Sequence, residues 1–168
     1  MPTVELLAIE QLRGYLIAQR VAQTPDARPS TTVPVLYLKP RDGIAKPRQQ
    51  NGTYVDGAAI TLIHANLSGP PGLEAHLEEA FIRVFVRCRS APVGMLLHRV
   101  IRNLLIPRDS SWGSQRQLWS MGDLLVQYSK QWYGLRDELT PPDDDREYVT
   151  SAGYCFGYRR ESATVTTP

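Results

Sequence analysis

Apolar and polar positions along this chain fall into two rhythms. From Val4 to about Gln23, Ala8, Ile9, Leu12, Tyr15 and Leu16 recur at helical spacing, with Thr3 placed to cap the start. Leu6, Leu7 and Ile17 lie off that stripe, so this helix is expected to be covered on more than one side. "TPDARPS" ends it. "TTVPVLYLK" (Thr31–Lys39) is β-rich, but Pro34 cannot donate to a ladder, so the strand should lie at an edge or start late. Pro40–Gly57 reads as a long loop with a short hairpin at Asn51-Gly52. "AAITLIHA" (Ala58–Ala65) is a second strand. Leu73–Ala80 reads equally as a short helix or as the lead-in to the strand that follows.

That next strand, "FIRVFVRCRS" (Phe81–Ser90), alternates cleanly. Ile82, Val84, Val86 and Cys88 make an ordinary core face. Phe81, Arg83, Phe85, Arg87 and Arg89 make the other, and aromatics interleaved with arginines are neither a core nor a plain solvated surface. Ser90 then caps a helix with Pro92 in its first turn. Val93, Leu96, Leu97, Val100, Ile101, Leu104 and Leu105 form its expected buried stripe. His98, Arg99, Arg102 and Asn103 form its expected polar face, which makes His98 a solvated histidine. Pro107 stops the helix.

Leu118–Gln131 reads as strand, broken at Met121-Gly122-Asp123. Arg136–Glu147 is an acidic, proline-bearing loop. "REYVTSAGYCFGYRR" is the last strand. Tyr148, Thr150, Ala152, Tyr154, Phe156 and Tyr158 share one face; Val149, Ser151, Gly153, Cys155 and Gly157 share the other. Those small residues call for something packed close against them. The expected fold is α+β: a single domain over residues 1–160 with a mainly antiparallel sheet, two helices on it and long loops, then a polar tail at 161–168.

Composition narrows the function classes. The 168 residues suffice for one domain with a real core, and a net charge of +2 argues against a protein that mainly coats nucleic acid. No apolar run approaches the roughly 18–20 residues of a membrane span, and no signal peptide is apparent. Cys88 and Cys155 are expected to be buried free thiols, and folding in a reducing cytoplasm fits them. Phosphate-binding loops, the dinucleotide fingerprint, the serine elbow and the usual zinc spacings do not occur, so neither cofactor nor catalytic residue is expected. Asp143, Asp144 and Asp145 lack the glycine turn and spacing of a cation loop and read as solvated charge.

Charge is segregated instead. Lys39, Arg41, Lys46 and Arg48 cluster in the first long loop, and Asp137, Glu138, Asp143, Asp144, Asp145 and Glu147 cluster before the last strand. Opposite-sign surfaces of this kind set register between copies or partners. Phe81, Arg83, Phe85, Arg87 and Arg89 carry residue types enriched at protein interfaces.

The order of elements resembles the tail terminator proteins of long-tailed bacteriophages. A strand runs straight into a helix in "FIRVFVRCRSAPVGMLLHRVIRNLL", and a polar loop divides the closing strands in "LLVQYSKQWYGLRDELTPPDDDREYVTSAGYCFGYRR". The resemblance implies a structural virion protein, made in the host cytoplasm and placed at the head–tail junction. It would form a ring of six on the tail tube protein, end tube polymerisation, meet the head-completion or stopper protein, and let genomic DNA pass through its channel. Phe81, Arg83, Phe85, Arg87, Arg89 and Asp143–Asp145 would then be subunit or partner contacts. Lys39, Arg41, Lys46 and Arg48 would face a partner or the channel. A head-completion or other neck protein is the near alternative. A single-stranded nucleic-acid-binding domain using the Phe/Arg face is the alternative from another class.

Overall fold

The two-residue rhythm of residues 81–88 places them at the middle of a sheet. The computed structural model describes residues 4–24, 34–38, 49–50, 53–54, 58–64, 78–88, 90–106, 119–137 and 148–160. In chain order these form α1 (Val4–Ala18), β1 (Val35–Leu38), β2 (Gln49–Gln50), β3 (Thr53–Tyr54), β4 (Ala58–His64), β5 (Glu78–Cys88), α2 (Ala91–Leu105), β6 (Trp119–Met121), β7 (Leu124–Asp137) and β8 (Tyr148–Arg160). Six strands make one sheet in the order β1-β4-β5-β8-β7-β6. Within it β1 and β4 run parallel and the other neighbours run antiparallel. This is the α+β architecture that the periodicities predict.

Individual elements follow their local chemistry. β1 starts immediately after Pro34 and lies at the sheet edge, where a missing N–H costs least. β2 and β3 pair antiparallel, Gln49 with Tyr54 and Gln50 with Thr53; the expected hairpin turn at Asn51-Gly52 lies outside the described residues. β6 and β7 form a hairpin in which Met121 pairs with Leu124. Gly122 supplies the positive φ of 60° that its turn requires. Gln11 of α1 ties this turn down: its Oε1 accepts from the Asp123 N–H at 3.2 Å.

α1 ends earlier than its sequence pattern. The helix stops at Ala18, and Arg20 takes the left-handed conformation with φ of 60°. The Val21 N–H donates back to the Leu16 carbonyl at 3.1 Å and the Arg20 N–H to Ile17 at 2.9 Å, the Schellman arrangement. The next residues serve the sheet instead. Gln23 bridges Val35, its N–H donating to Pro34 and its carbonyl accepting from Leu36, both at 2.9 Å. The stripe of Ala8, Ile9, Leu12 and Leu16 is buried as its spacing predicts.

Both helices contribute to one core on the even-numbered face of the sheet. Ala80, Ile82, Val84, Val86 and Cys88 of β5 and Ala152, Tyr154, Phe156 and Tyr158 of β8 meet Leu12 and Leu16 of α1 and Ile101 and Leu105 of α2. Tyr15 joins the aromatic edge of this core through Trp119, with centroids 5.1 Å apart, and Trp119 meets Phe156 at 6.3 Å. Cys88 and Cys155 are free, buried and on opposite sheet faces. Burial pushes the Cys155 thiol up to about 11, with Glu79 adding to the rise and Lys130 opposing it.

α2 sits rotated from its expected orientation. Its buried line is Gly94, His98, Ile101 and Leu105, one position on from the line that begins at Val93. His98, expected in water, is 4% exposed; Val93, Leu96 and Val100, expected in the core, are exposed. The cause is close approach. A Cβ on Gly94 would stand 3.0 Å from Cys88 Sγ and 3.5 Å from Thr150 Oγ1, so glycine lets the helix settle on β5 and β8 along that line. His98 Nε2 then meets Thr150 Oγ1 at 3.0 Å. Ser90 stands at the N-cap, but its side chain makes no capping bond. At the other end, Ser129 Oγ of β7 donates to the Leu105 carbonyl, satisfying one orphan acceptor of the last turn.

Candidate functional site

Two surfaces, on opposite faces of the sheet, carry more than packing. The first is built from β5, β7 and β8. Gly153 and Gly157 of β8 leave shallow floors, and β7 lays aromatic rings in them. A Cβ on Gly153 would run into the Tyr133 and Trp132 rings, and one on Gly157 into the Tyr128 ring. The register of β7 against β8 shifts between Gln131 and Tyr133 and again before Arg136. Such bulges let Trp132 and Tyr133, consecutive in sequence, both lean over Gly153. The small residues of β8 are thus the seat of rings from the neighbouring strand, the close packing their sequence calls for.

Cations complete this ridge. Trp132 meets Phe81 edge-on with centroids 5.9 Å apart, and the Arg83 guanidinium lies 5.6 Å from the Trp132 ring. Arg136 covers Tyr133 at 4.4 Å, and Lys130 stands 5.9 Å from Tyr128. Tyr128 also donates its hydroxyl to Glu79. Arg83, Lys130 and Arg136 are exposed, so the ridge presents alternating rings and positive charge to whatever meets it.

The second surface lies on the other side of the sheet, between α2 and β7. Leu96 is 59% exposed and Met95 55%, with Val93, Val100 and Leu135 of β7 also exposed. Val93, Leu96 and Val100 share one helical face, so α2 carries an apolar stripe in water. Beside it runs a groove of about 510 Å³ lined by Met95, Leu96, His98, Arg99, Arg102, Gln131, Leu135 and Tyr154, among others. The floor is chemically unfinished. His98 Nδ1 and the Tyr154 hydroxyl are buried and have no hydrogen-bond partner among the described residues.

Burial sets the state of both groups. His98 Nε2 hydrogen-bonds with Thr150 Oγ1 at 3.0 Å, and that hydroxyl stands 3.5 Å from the Val86 carbonyl. Burial pushes His98 down to about 4, against its bond at Thr150, so the ring is neutral near pH 7. Burial pushes Tyr154 up to about 12, against Arg102 nearby. On the rim, Arg102 Nε donates to Gln131 Oε1 at 3.2 Å, which fixes that guanidinium at the groove mouth.

The sequence-derived site residues divide between the two faces of this picture and the regions beyond it. Phe81 is half-buried and Arg83 exposed on the ridge, together as expected. Phe85 and Arg87 are each 8% exposed, covered within the single chain, so among the described residues only the Phe81–Arg83 end of that strand face is presented. Arg89, Asp143, Asp144, Asp145, Lys39, Arg41, Lys46 and Arg48 lie outside the described residues. Sequence reasoning missed Trp132, Tyr133 and Arg136, whose shared face depends on bulges. It also missed the groove, because it placed His98 in solvent. Among the described residues no group of three His, Cys, Asp or Glu could hold a metal ion, and no helix is long and apolar enough to cross a membrane.

No protein-family model matches this sequence, and no curated protein matches it.

Proposed function

We propose that this chain is a ring-forming structural protein of the tail-terminator kind, which caps a tail tube and joins it to a filled head. The observation that carries the reading is the apolar stripe of α2, with Met95 and Leu96 more than half in water. Apolar surface of this kind marks a contact with another chain. The second copy is its occupant in this reading, because a closed ring needs two different patches on each subunit. The aromatic and cationic ridge on the opposite sheet face supplies the other patch. The element order resembling tail terminators supports the same reading and gives the ring its role. One ring face would match the tube and the other would not, so polymerisation ends there. DNA would pass through the channel without being read.

Light scattering on the purified protein across concentration and salt, with negative-stain images of the same sample, tests this. Six-fold rings are expected. A monomer under every condition, including in the presence of tail tubes, would remove the reading. The ridge favours one second reading. Rings interleaved with Arg83, Lys130 and Arg136 are the makings of a single-strand stacking platform. Steeply salt-dependent binding of a labelled oligonucleotide, lost on Arg83→Glu, is the outcome that would put it first.

A further inference from the structure

We propose that α2 is a two-position helix: protonation of His98 rolls it by one residue about its own axis and turns its apolar stripe from water onto the sheet. The roll stands on α2 and its seat alone. Its use, to withdraw the assembly surface in acid, rests on the ring reading above. Two seats compete for the same helix. The occupied one buries Gly94, His98, Ile101 and Leu105, and Gly94 and His98 bring it little apolar surface. The line one position earlier is Val93, Leu97, Val100 and Leu104, apolar throughout. One residue of a helix is about 100° of turn, so a roll of that size exchanges the two lines. Leu97 and Leu104 already pack partly buried against the core, at the border between the seats. In the rolled seat Val93 and Val100 follow them in, Leu96 comes to one flank, and Ile101 and Leu105 move to the other. The apolar exchange is therefore close to even, and polar contacts decide it.

The occupied seat is held by the His98–Thr150 bond at 3.0 Å, by the close approach at Gly94 and by Arg102 on Gln131. Against it stand the sealed His98 Nδ1, with no partner among the described residues, and an N-cap Ser90 whose side chain makes no capping bond. Arg99 and Arg102 of α2, Cys88 of β5 and Tyr154 of β8 are the ionisable side chains at this seat, and β7 presents neutral Gln131. None of these is a carboxylate, so none favours an imidazolium. Burial accordingly holds His98 near 4, against 6.5 in water. The rolled seat carries His98 round to the solvent side. A proton therefore prefers that seat by up to about 300-fold, the ratio of the two affinities. Above about pH 6.5 neither seat binds the proton and the occupied one persists; as pH falls toward 4 the rolled one gains. The same factor bounds the preference for the occupied seat at neutral pH that a proton can overcome.

Hydroxyl-radical footprinting read by mass spectrometry tests the roll, at pH 7.5 and pH 4.5 and at a concentration below assembly. At pH 7.5 Leu96 should be labelled and His98 protected. At pH 4.5 labelling of Val93 and Leu96 should fall about threefold or more and that of His98 should rise by as much, with an unchanged far-ultraviolet circular dichroism spectrum. Labelling that does not change with pH overturns the roll. Labelling that rises at all three positions is fraying of the helix and overturns it as well. A lock supplies the control. A Cβ at position 94 stands 3.0 Å from Cys88 Sγ, so Gly94→Cys is placed to form a disulfide with Cys88 in the occupied seat. The oxidised variant should keep its pH 7.5 footprint at pH 4.5, and a swap in it would overturn the roll. Should that disulfide fail to form, His98→Gln, uncharged at both pH values, takes its place with the same expected result.

Light scattering at higher concentration then tests the use. Wild-type rings formed at pH 7.5 should dissociate at pH 4.5, and rings of the locked variant should persist. Rings that survive acid while the dilute footprint swaps would uphold the roll and overturn its role in assembly. A footprint that swaps in a protein forming no ring at any pH would uphold the roll and fail the ring reading. Rings at pH 7.5 with a footprint that never swaps would fail the roll and leave the ring reading standing.

Discussion

His98 is hydrogen-bonded to Thr150 and held neutral under α2, and this has a consequence in pH. Its pKa is depressed from an ordinary 6.5 to about 4 by burial. As pH falls below 6.5 the unfolded chain takes up a proton that the folded chain refuses. Stability is therefore complete above about 6.5 and is lost as pH falls toward 4, by a contribution on the order of 3 kcal/mol. Thr150 does not ionise, and Tyr154, in the same groove, titrates far above this window. Urea unfolding of wild type and of His98→Gln at pH 7 and pH 4.5 checks it: the wild type should lose more stability between the two. Arg20 offers a test of opposite sign. It occupies the left-handed position after α1, where a side chain is strained. Arg20→Gly should stabilise the fold by about 0.5–1 kcal/mol, visible as a higher urea midpoint with unchanged slope.

At the scale of elements, the β7–β8 pair is tightly constrained. Its rings sit on glycines, and its register shifts keep Trp132 and Tyr133 over the same floor. Gly153→Ala drives a methyl into both rings and should cost about 1–3 kcal/mol, read as a lowered melting temperature. Gly134 of the same strand is the control. Nothing lies within 4 Å of its Cβ position, so Gly134→Ala should be near neutral or stabilising by a few tenths of a kcal/mol. α2 makes the complementary point. Its strongest sequence feature is an apolar stripe, and part of that stripe faces water because Gly94 let the helix turn. The sheet gains a close-packed helix and leaves Leu96, Val93 and Val100 in water.

For the whole molecule, the two surfaces divide the labour of substitutions. Leu96→Asp changes an exposed position, so it should leave the melting temperature within a degree or two and, on the ring reading proposed above, abolish assembly in light scattering. Arg87→Glu should do the reverse. Arg87 is nearly covered at the middle of the sheet, and reversing its charge there should cost stability before it affects any partner, by about 3–5 kcal/mol. Arg83→Glu, on the exposed ridge, should behave like Leu96→Asp. A loss of assembly with Arg83→Glu alone, and of folding with Arg87→Glu alone, would separate two residues that look equivalent in sequence.

That equivalence marks the boundary between what local pattern decides and what packing decides. The existence and type of the helices and main strands, the late start of β1 after Pro34, the turn at Gly122, and the need for something close over Gly153 and Gly157 all follow from period, proline and glycine. These are local constraints, and the chain obeys them wherever it folds. The rotation of α2, the burial of His98 and Arg87, the bulges that gather Trp132, Tyr133 and Arg136, and the groove between α2 and β7 do not. Each depends on which residue of a distant strand lies opposite, and a shift of one position along a helix or strand moves a side chain from core to water. Tertiary contact made that choice at Gly94 and Gly153, where the absence of a side chain let another element come close.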